Sequence, residues 1–261
     1  MNTNTRKNNN LHNYRKSRRS SIKNSLYIPR YEIINQPSSA SLIVYLKSGQ
    51  SIIDRYGYMN YFDSSIKLNV KMIKGITGAL KFVSGGDAFE NIYTGTTSQE
   101  SKICFGSNTL GDIIPIVIKR GESYVFDTDN LLCYSSNIKF ETTYRFKNIL
   151  GGGDVILKNA SLTQGESGII WLHTHGSYQK LQIESGKSIK VESGFFIVAN
   201  SKFRYNIAKL GGIKSMMFSG EGSIYMEFTG PGTVYLHSRN RKREIQELRN
   251  SIGSGHKISL L

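Results

Sequence analysis

Two histidines offer the first candidate chemistry. His173 and His175 stand two apart in an apolar run, Ile169 to His175, that reads as a β-strand. Residues i and i+2 of a strand share a face, as two ligands of one metal ion must. A closed site needs a third and usually a fourth donor. The nearest downstream acid is Glu184, and no third histidine follows at short spacing. The pair is therefore expected to be a polar strand end, with His173 and His175 kept only as weak metal candidates. Cys104 lies in an apolar strand where nothing would lower its pKa, so it is expected to pack as a small hydrophobe. Gly165-Glu-Ser167-Gly168 has part of a nucleophile-elbow pattern, but Ile169 stands where the last glycine is needed, and a hairpin turn is expected. Gly151-Gly-Gly-Asp154 has no Lys-Ser/Thr to hold phosphate and precedes a strand. No catalytic residue, cofactor or small-molecule substrate follows from these residue types, and the chain is expected not to be an enzyme.

The elements that carry these residues repeat. Leu46-Lys-Ser-Gly49-Gln-Ser-Ile-Ile, Ile118-Lys-Arg-Gly121-Glu-Ser-Tyr-Val and Ile183-Glu-Ser-Gly186-Lys-Ser-Ile-Lys share one pattern, with the glycines 72 and 65 residues apart. A glycine between two alternating runs marks a hairpin turn with positive φ. Downstream, Gly57-Tyr-Met-Asn-Tyr, Asn130-Leu-Leu-Cys-Tyr and Gly194-Phe-Phe-Ile-Val match in turn. Later, Cys104-Phe-Gly, Trp171-Leu-His and Tyr235-Leu-His align, which puts His173, His237 and Gly106 at one repeat position. Three units of this length are too large for solenoid turns. They predict an all-β domain: a pseudo-threefold β-prism or layered β-sandwich of three small sheets, with structural turns at Gly49, Gly121, Gly186, Gly230 and Gly232.

Charge divides the chain of 261 residues. The formal net charge is +15, of which residues 1–40 carry +7 and residues 238–261 carry +4, leaving an ordinary surface between them. Residues 1–37, rich in Asn, Arg and Ser, are expected to be a disordered basic arm, because they have too few apolar groups to offset ordering. Residues 38–238 form the repeat domain, and residues 239–261 a short basic helix and tail. Arg15, Lys16, Arg18 and Arg19 in the arm, with Arg239, Arg241, Lys242 and Arg243 at the other end, are the candidates for contact with nucleic acid or another anionic surface. Two cysteines and no secretory leader point to a reducing intracellular compartment, whether mitochondrion, cytoplasm or virion. No apolar run reaches the length of a membrane span.

The run Gly220-Glu-Gly-Ser-Ile-Tyr-Met-Glu-Phe-Thr-Gly-Pro-Gly-Thr-Val-Tyr-Leu-His-Ser238 resembles the closing motif of the altered inheritance of mitochondria protein 24 family. Gly85-Gly-Asp-Ala-Phe-Glu-Asn-Ile-Tyr-Thr-Gly95 is similar to its first glycine-rich strand pair, and the likeness spans about residues 40–238. His237 stands where a Gln is usual, and both ends of the chain depart from the pattern. The resemblance implies a fold like that of the tryptophan RNA-binding attenuator protein, a link to inner-membrane organisation in fungal mitochondria, and no enzymatic activity. Composition and resemblance together lead us to expect a structural or assembly protein. It would form a homo-oligomer or dock on a protein partner through its β domain, with basic tails on an anionic membrane or other surface. Nucleic-acid packaging by the tails is the alternative, since contacts of that kind are salt-sensitive and sequence-blind.

Overall fold

The structure, a computed structural model, describes residues 18–19, 26–54, 57–72, 89–146, 155–200, 204–209 and 224–255. Two strands precede the repeats, β1 (Arg18–Arg19) and β2 (Arg30–Ile34). The first unit holds β3 (Ser41–Leu46), β4 (Ser51–Asp54), β5 (Met59–Phe62), β6 (Ile66–Met72), β7 (Phe89–Gly95) and β8 (Ser101–Gly106). The second holds β9 (Ile113–Lys119), β10 (Ser123–Asp127), β11 (Leu131–Ser135), β12 (Ile138–Phe146), β13 (Val155–Leu162) and β14 (Ser167–His173). The third holds β15 (Tyr178–Ile183), β16 (Ser188–Glu192), β17 (Phe196–Asn200), β18 (Arg204–Lys209), β19 (Ile224–Thr229) and β20 (Gly232–His237), before helix α1 (Arg241–Gly255).

Local sequence explains the strands. In β3 the residues alternate, with Leu42, Val44 and Leu46 buried and their neighbours half-buried, while the five residues of β11 are all buried. The first pattern belongs to a sheet with one face on the core, the second to a strand covered on both faces. Gly49, Gly121 and Gly186 have φ of +83°, +79° and +76° at equivalent hairpin turns, a conformation that L side chains rarely adopt.

Pairing is antiparallel and repeats from unit to unit. The sixth strand pairs with the first and the third, and the fifth with the second and the fourth, in every unit. The third strand carries a register shift each time, between Met59 and Tyr61, Leu131 and Cys133, and Phe196 and Val198. Such a bulge bends the strand and sharpens its twist. β11 also pairs with β4, and β17 with β10, of the preceding unit.

The sheets therefore cross unit boundaries, where the repeat pattern had led us to expect one small sheet per unit. One runs β6-β7-β4-β11-β14-β9 and another β12-β13-β10-β17-β20-β15. The third hand-over would join β16 to β5, and it is missing among the described residues. Instead β16-β19-β18 forms a three-stranded sheet, and β5-β8-β3-β2-β1 a five-stranded one.

The expected arm over 1–37 needs correction at its inner end. Residues 1–17 and 20–25 lie outside the described residues, but Arg18 and Arg19 pair with Ile33 and Glu32, and β2 pairs along β3 from Arg30↔Tyr45 to Ile34↔Ser41. Ile28, Tyr31 and Ile33 are buried, and the Tyr31 ring meets the Trp171 ring edge-on at 5.4 Å. The alternation Tyr31, Ile33 is short and follows a basic segment, so composition masked it.

Turn placement at the other end also differs. Gly232 is the first residue of β20, opposite Ile183, so it is a strand residue. The steric constraint falls on Gly230, where a β-carbon would run into the carbonyl oxygens of Ile183 and Glu184. Gly121, by contrast, faces open space and is constrained only by its φ. Gly230→Ala is expected to cost about 2–3 kcal/mol and Gly121→Ala about 1 kcal/mol. Thermal melting checks this ordering, with a fall of roughly 5–10 °C expected for Gly230→Ala.

Candidate functional site

Strands β14 and β20 end at the same level, and the repeat brings His173 and His237 there together. Their ladder partners are equivalent too: His173 faces Ile113 on β9 and His237 faces Tyr178 on β15. At the matching place in the first unit, Gly106 has no side chain, and the Asn60 carboxamide takes the space a β-carbon would need. His175 follows β14 and lies between the two, its ring 5.4 Å from His173 and 4.6 Å from His237.

Hydrogen bonds fix both buried imidazoles. His173 Nε2 is 2.9 Å from the Asp129 carbonyl oxygen, which only accepts, so Nε2 carries the proton and donates. His237 Nδ1 accepts from the His175 backbone N–H at 3.0 Å, which leaves Nε2 to donate to Asn130 Oδ1 at 3.2 Å. The turn Thr128–Asn130 that supplies these partners starts where Asp127 caps it, its carboxylate accepting from Asp129 N–H at 3.2 Å.

Burial keeps both rings neutral. His173 is 1% exposed, and loss of hydration pushes its pKa down to about 4; the Asp129 carbonyl opposes this and the Arg241 charge adds to it. His237 is held well below the ordinary imidazole value by burial first, and by the nearby His175 and His173 second.

A cleft of about 300 Å³ opens beside the cluster. Tyr58, Asn130, His175 and His237 line it from the β domain, and Arg241 and Ile245 from α1. The helix starts from Asn240, whose side chain accepts from Arg243 N–H at 3.3 Å and donates to Glu192 at 3.0 Å. It begins two residues later than Arg239, where the basic run begins, and continues to Gly255.

This arrangement suits structure better than metal chemistry. The lone pair of His237 is taken by His175 N–H, and that of His173, on Nδ1, is buried with no partner. Among the described residues no three His, Cys, Asp or Glu side chains are grouped so as to hold a metal ion. The weak pair of the sequence reading, His173 and His175, is thus joined by a third histidine from 62 residues onward that short spacing could not reveal. The signal that finds His237 is the repeat alignment, which makes it the equivalent of His173.

Neither thiol is activated. Cys104 and Cys133 are free and buried, and burial pushes both pKa values up; hydrogen bonds from Tyr61 and Asn60 only partly offset this at Cys104. Gly165 turns the chain between β13 and β14 with φ of +78°, and no helix follows. Gly151–Asp154 lie outside the described residues.

The described basic candidates fall on β1 and at or just before the start of α1. Arg15 and Lys16 lie outside the described residues, and Arg18 and Arg19 form β1. Arg239 pairs with Glu244 at 2.5 Å and Arg243 with Glu192 at 2.7 Å, Arg241 lines the cleft, and Lys242 is a helix residue between them. Two of these charges are therefore spent within the fold.

A family model described as mitochondrial biogenesis AIM24 matches residues 31–239. A protein from Streptococcus pyogenes, solved by X-ray crystallography, superposes with a TM-score of 0.68 at 19% identity, covering 86% of this chain and all of its own. At that identity the likeness is one of fold. No curated protein matches the sequence.

The depressed His173 pKa makes stability depend on pH. The unfolded chain takes up a proton near pH 6.5 and the folded chain only near pH 4, so stability present above pH 6.5 is lost as pH falls through that window. The loss from His173 is about 3 kcal/mol, with His237 adding in the same sense. Urea unfolding at pH 7.5, 5.5 and 4.5 measures it, and His173→Leu is expected to flatten the curve.

Proposed function

The chain belongs to the mitochondrial biogenesis AIM24 family, and from that premise we propose that it is a non-enzymatic assembly module. Its β domain docks on a protein partner or on another copy of itself, and its basic ends contact an anionic surface. The observation that carries this reading is the incomplete third sheet. Two long sheets close across unit boundaries while β16 and β5 do not pair, and large apolar side chains such as Tyr61 of β5 stand half in solvent. Unpaired strands and exposed apolar side chains are where other chains attach.

Three further features support it. The buried His173 and His237 imidazoles are neutral and hydrogen-bonded, the thiols are buried, and the excess positive charge is concentrated at the ends. Among the described residues no helix is long and apolar enough to cross a membrane.

The test is the solution mass of the full chain, by light scattering, with and without nuclease and 0.5–1 M salt. A single defined mass, unchanged by nuclease, is expected. A heterogeneous complex that collapses to monomer on nuclease treatment would replace this reading with nucleic-acid packaging.

A further inference from the structure

Resting on the docking reading, we propose that the outer edge of β6 accepts an extended segment of a partner protein as an added strand, one in which acidic and apolar residues alternate.

β6 ends its six-stranded sheet, with β7 on its inner side and no described strand on the other. Its register runs unbroken through seven residues, from Ile66↔Gly95 to Met72↔Phe89. Of the other sheet-ending strands, β5, β9 and β12 carry features that discourage pairing, while β15, β16 and β18 are regular but pack Leu181, Ile183, Val191, Tyr205 and Ile207 into the core. Pro115 lies within β9 and offers no N–H, and β12 has a register shift between Thr142 and Tyr144 and an ion pair between Lys139 and Glu141. A shift also breaks β5. β6 has neither proline nor bulge.

Its two faces differ. Leu68, Val70 and Met72 lie on one face, 41%, 61% and 47% exposed, with the half-exposed Phe89 of β7 opposite Met72. Lys67, Asn69 and Lys71 lie on the other, also exposed, and β6 has no acid. The matching strands of the other two units cover each other, since Tyr144 of β12 meets Tyr205 of β18 at 5.7 Å. Among the described residues the apolar row of β6 has no such cover.

Charge selects the occupant. A second copy paired antiparallel about Asn69 would set Lys67 opposite Lys71 twice, which is repulsive. The basic N-terminal arm has the same sign and is disfavoured for the same reason. An incoming strand with an acid opposite each lysine and apolar residues beside Leu68, Val70 and Met72 satisfies both faces, and its backbone takes up the unpaired N–H and C=O groups of the edge.

The experiment measures fluorescence anisotropy of labelled nine-residue peptides with the full chain at 0.15 M salt. A peptide alternating Glu and Val is expected to bind saturably, and one alternating Lys and Val is not. The double variant Lys67→Glu, Lys71→Glu, both exposed and therefore expected to melt like wild type, should bind the Glu/Val peptide about tenfold more weakly and gain the Lys/Val peptide. A Glu/Val peptide N-methylated at alternate residues should not bind, because strand addition needs those N–H groups. Absence of Glu/Val binding, equal binding to the double variant, or undiminished binding of the N-methylated peptide would each overturn the proposal. If the solution mass is defined and nuclease-resistant while the peptide fails, only the β6 assignment falls; nuclease-dependent mass removes the docking reading itself.

Discussion

Everything in this fold depends on a hydrogen-bonding constraint at the second strand of each unit. β4 and β10 are paired by their own unit on one side only, and each must find its other partner in the following unit, at β11 and β17. A backbone edge left inside a packed core would strand its N–H and C=O groups without water. The units are consequently joined by shared sheets rather than being separate small ones. A register shift recurs in every third strand, and two of these, β11 and β17, also pair with the preceding unit.

The break in symmetry follows from the same constraint. β16 has no third-strand partner, and the chain deals with this end by placing α1 there: Asn240 and Arg243 both bind Glu192, the last residue of β16. The helix also shapes the cleft beside the histidines. His173 and His237 are repeat equivalents held by the turn Thr128–Asn130, and their neutrality is a consequence of depth. A group buried this far either shifts its pKa or destabilises the fold.

Exposure on the outside is equally uneven. A proline or a bulge marks some outer strands and others pack their apolar side chains into the core, whereas β6 is regular with its apolar row exposed. The net charge of +15 acts differently at different places. Two arginines of the C-terminal run are neutralised by acids of the fold, while Lys67 and Lys71 stand exposed on an edge.

The sequence by itself determined the strand content, the three equivalent hairpin turns at Gly49, Gly121 and Gly186 and the helix after Ser238, because these rest on local periodicity and on the φ a residue type can adopt. It also pointed to Cys104 as a core side chain, which is where it lies. Only the tertiary structure decided that β2 belongs to the core, that the sheets cross unit boundaries, and that Gly230 rather than Gly232 bears the steric constraint. It alone joined His237 and Asn130 to His173 and His175. Each of these is a contact between residues far apart in the chain, and periodicity reports which face of a strand is buried but not which strand lies against it.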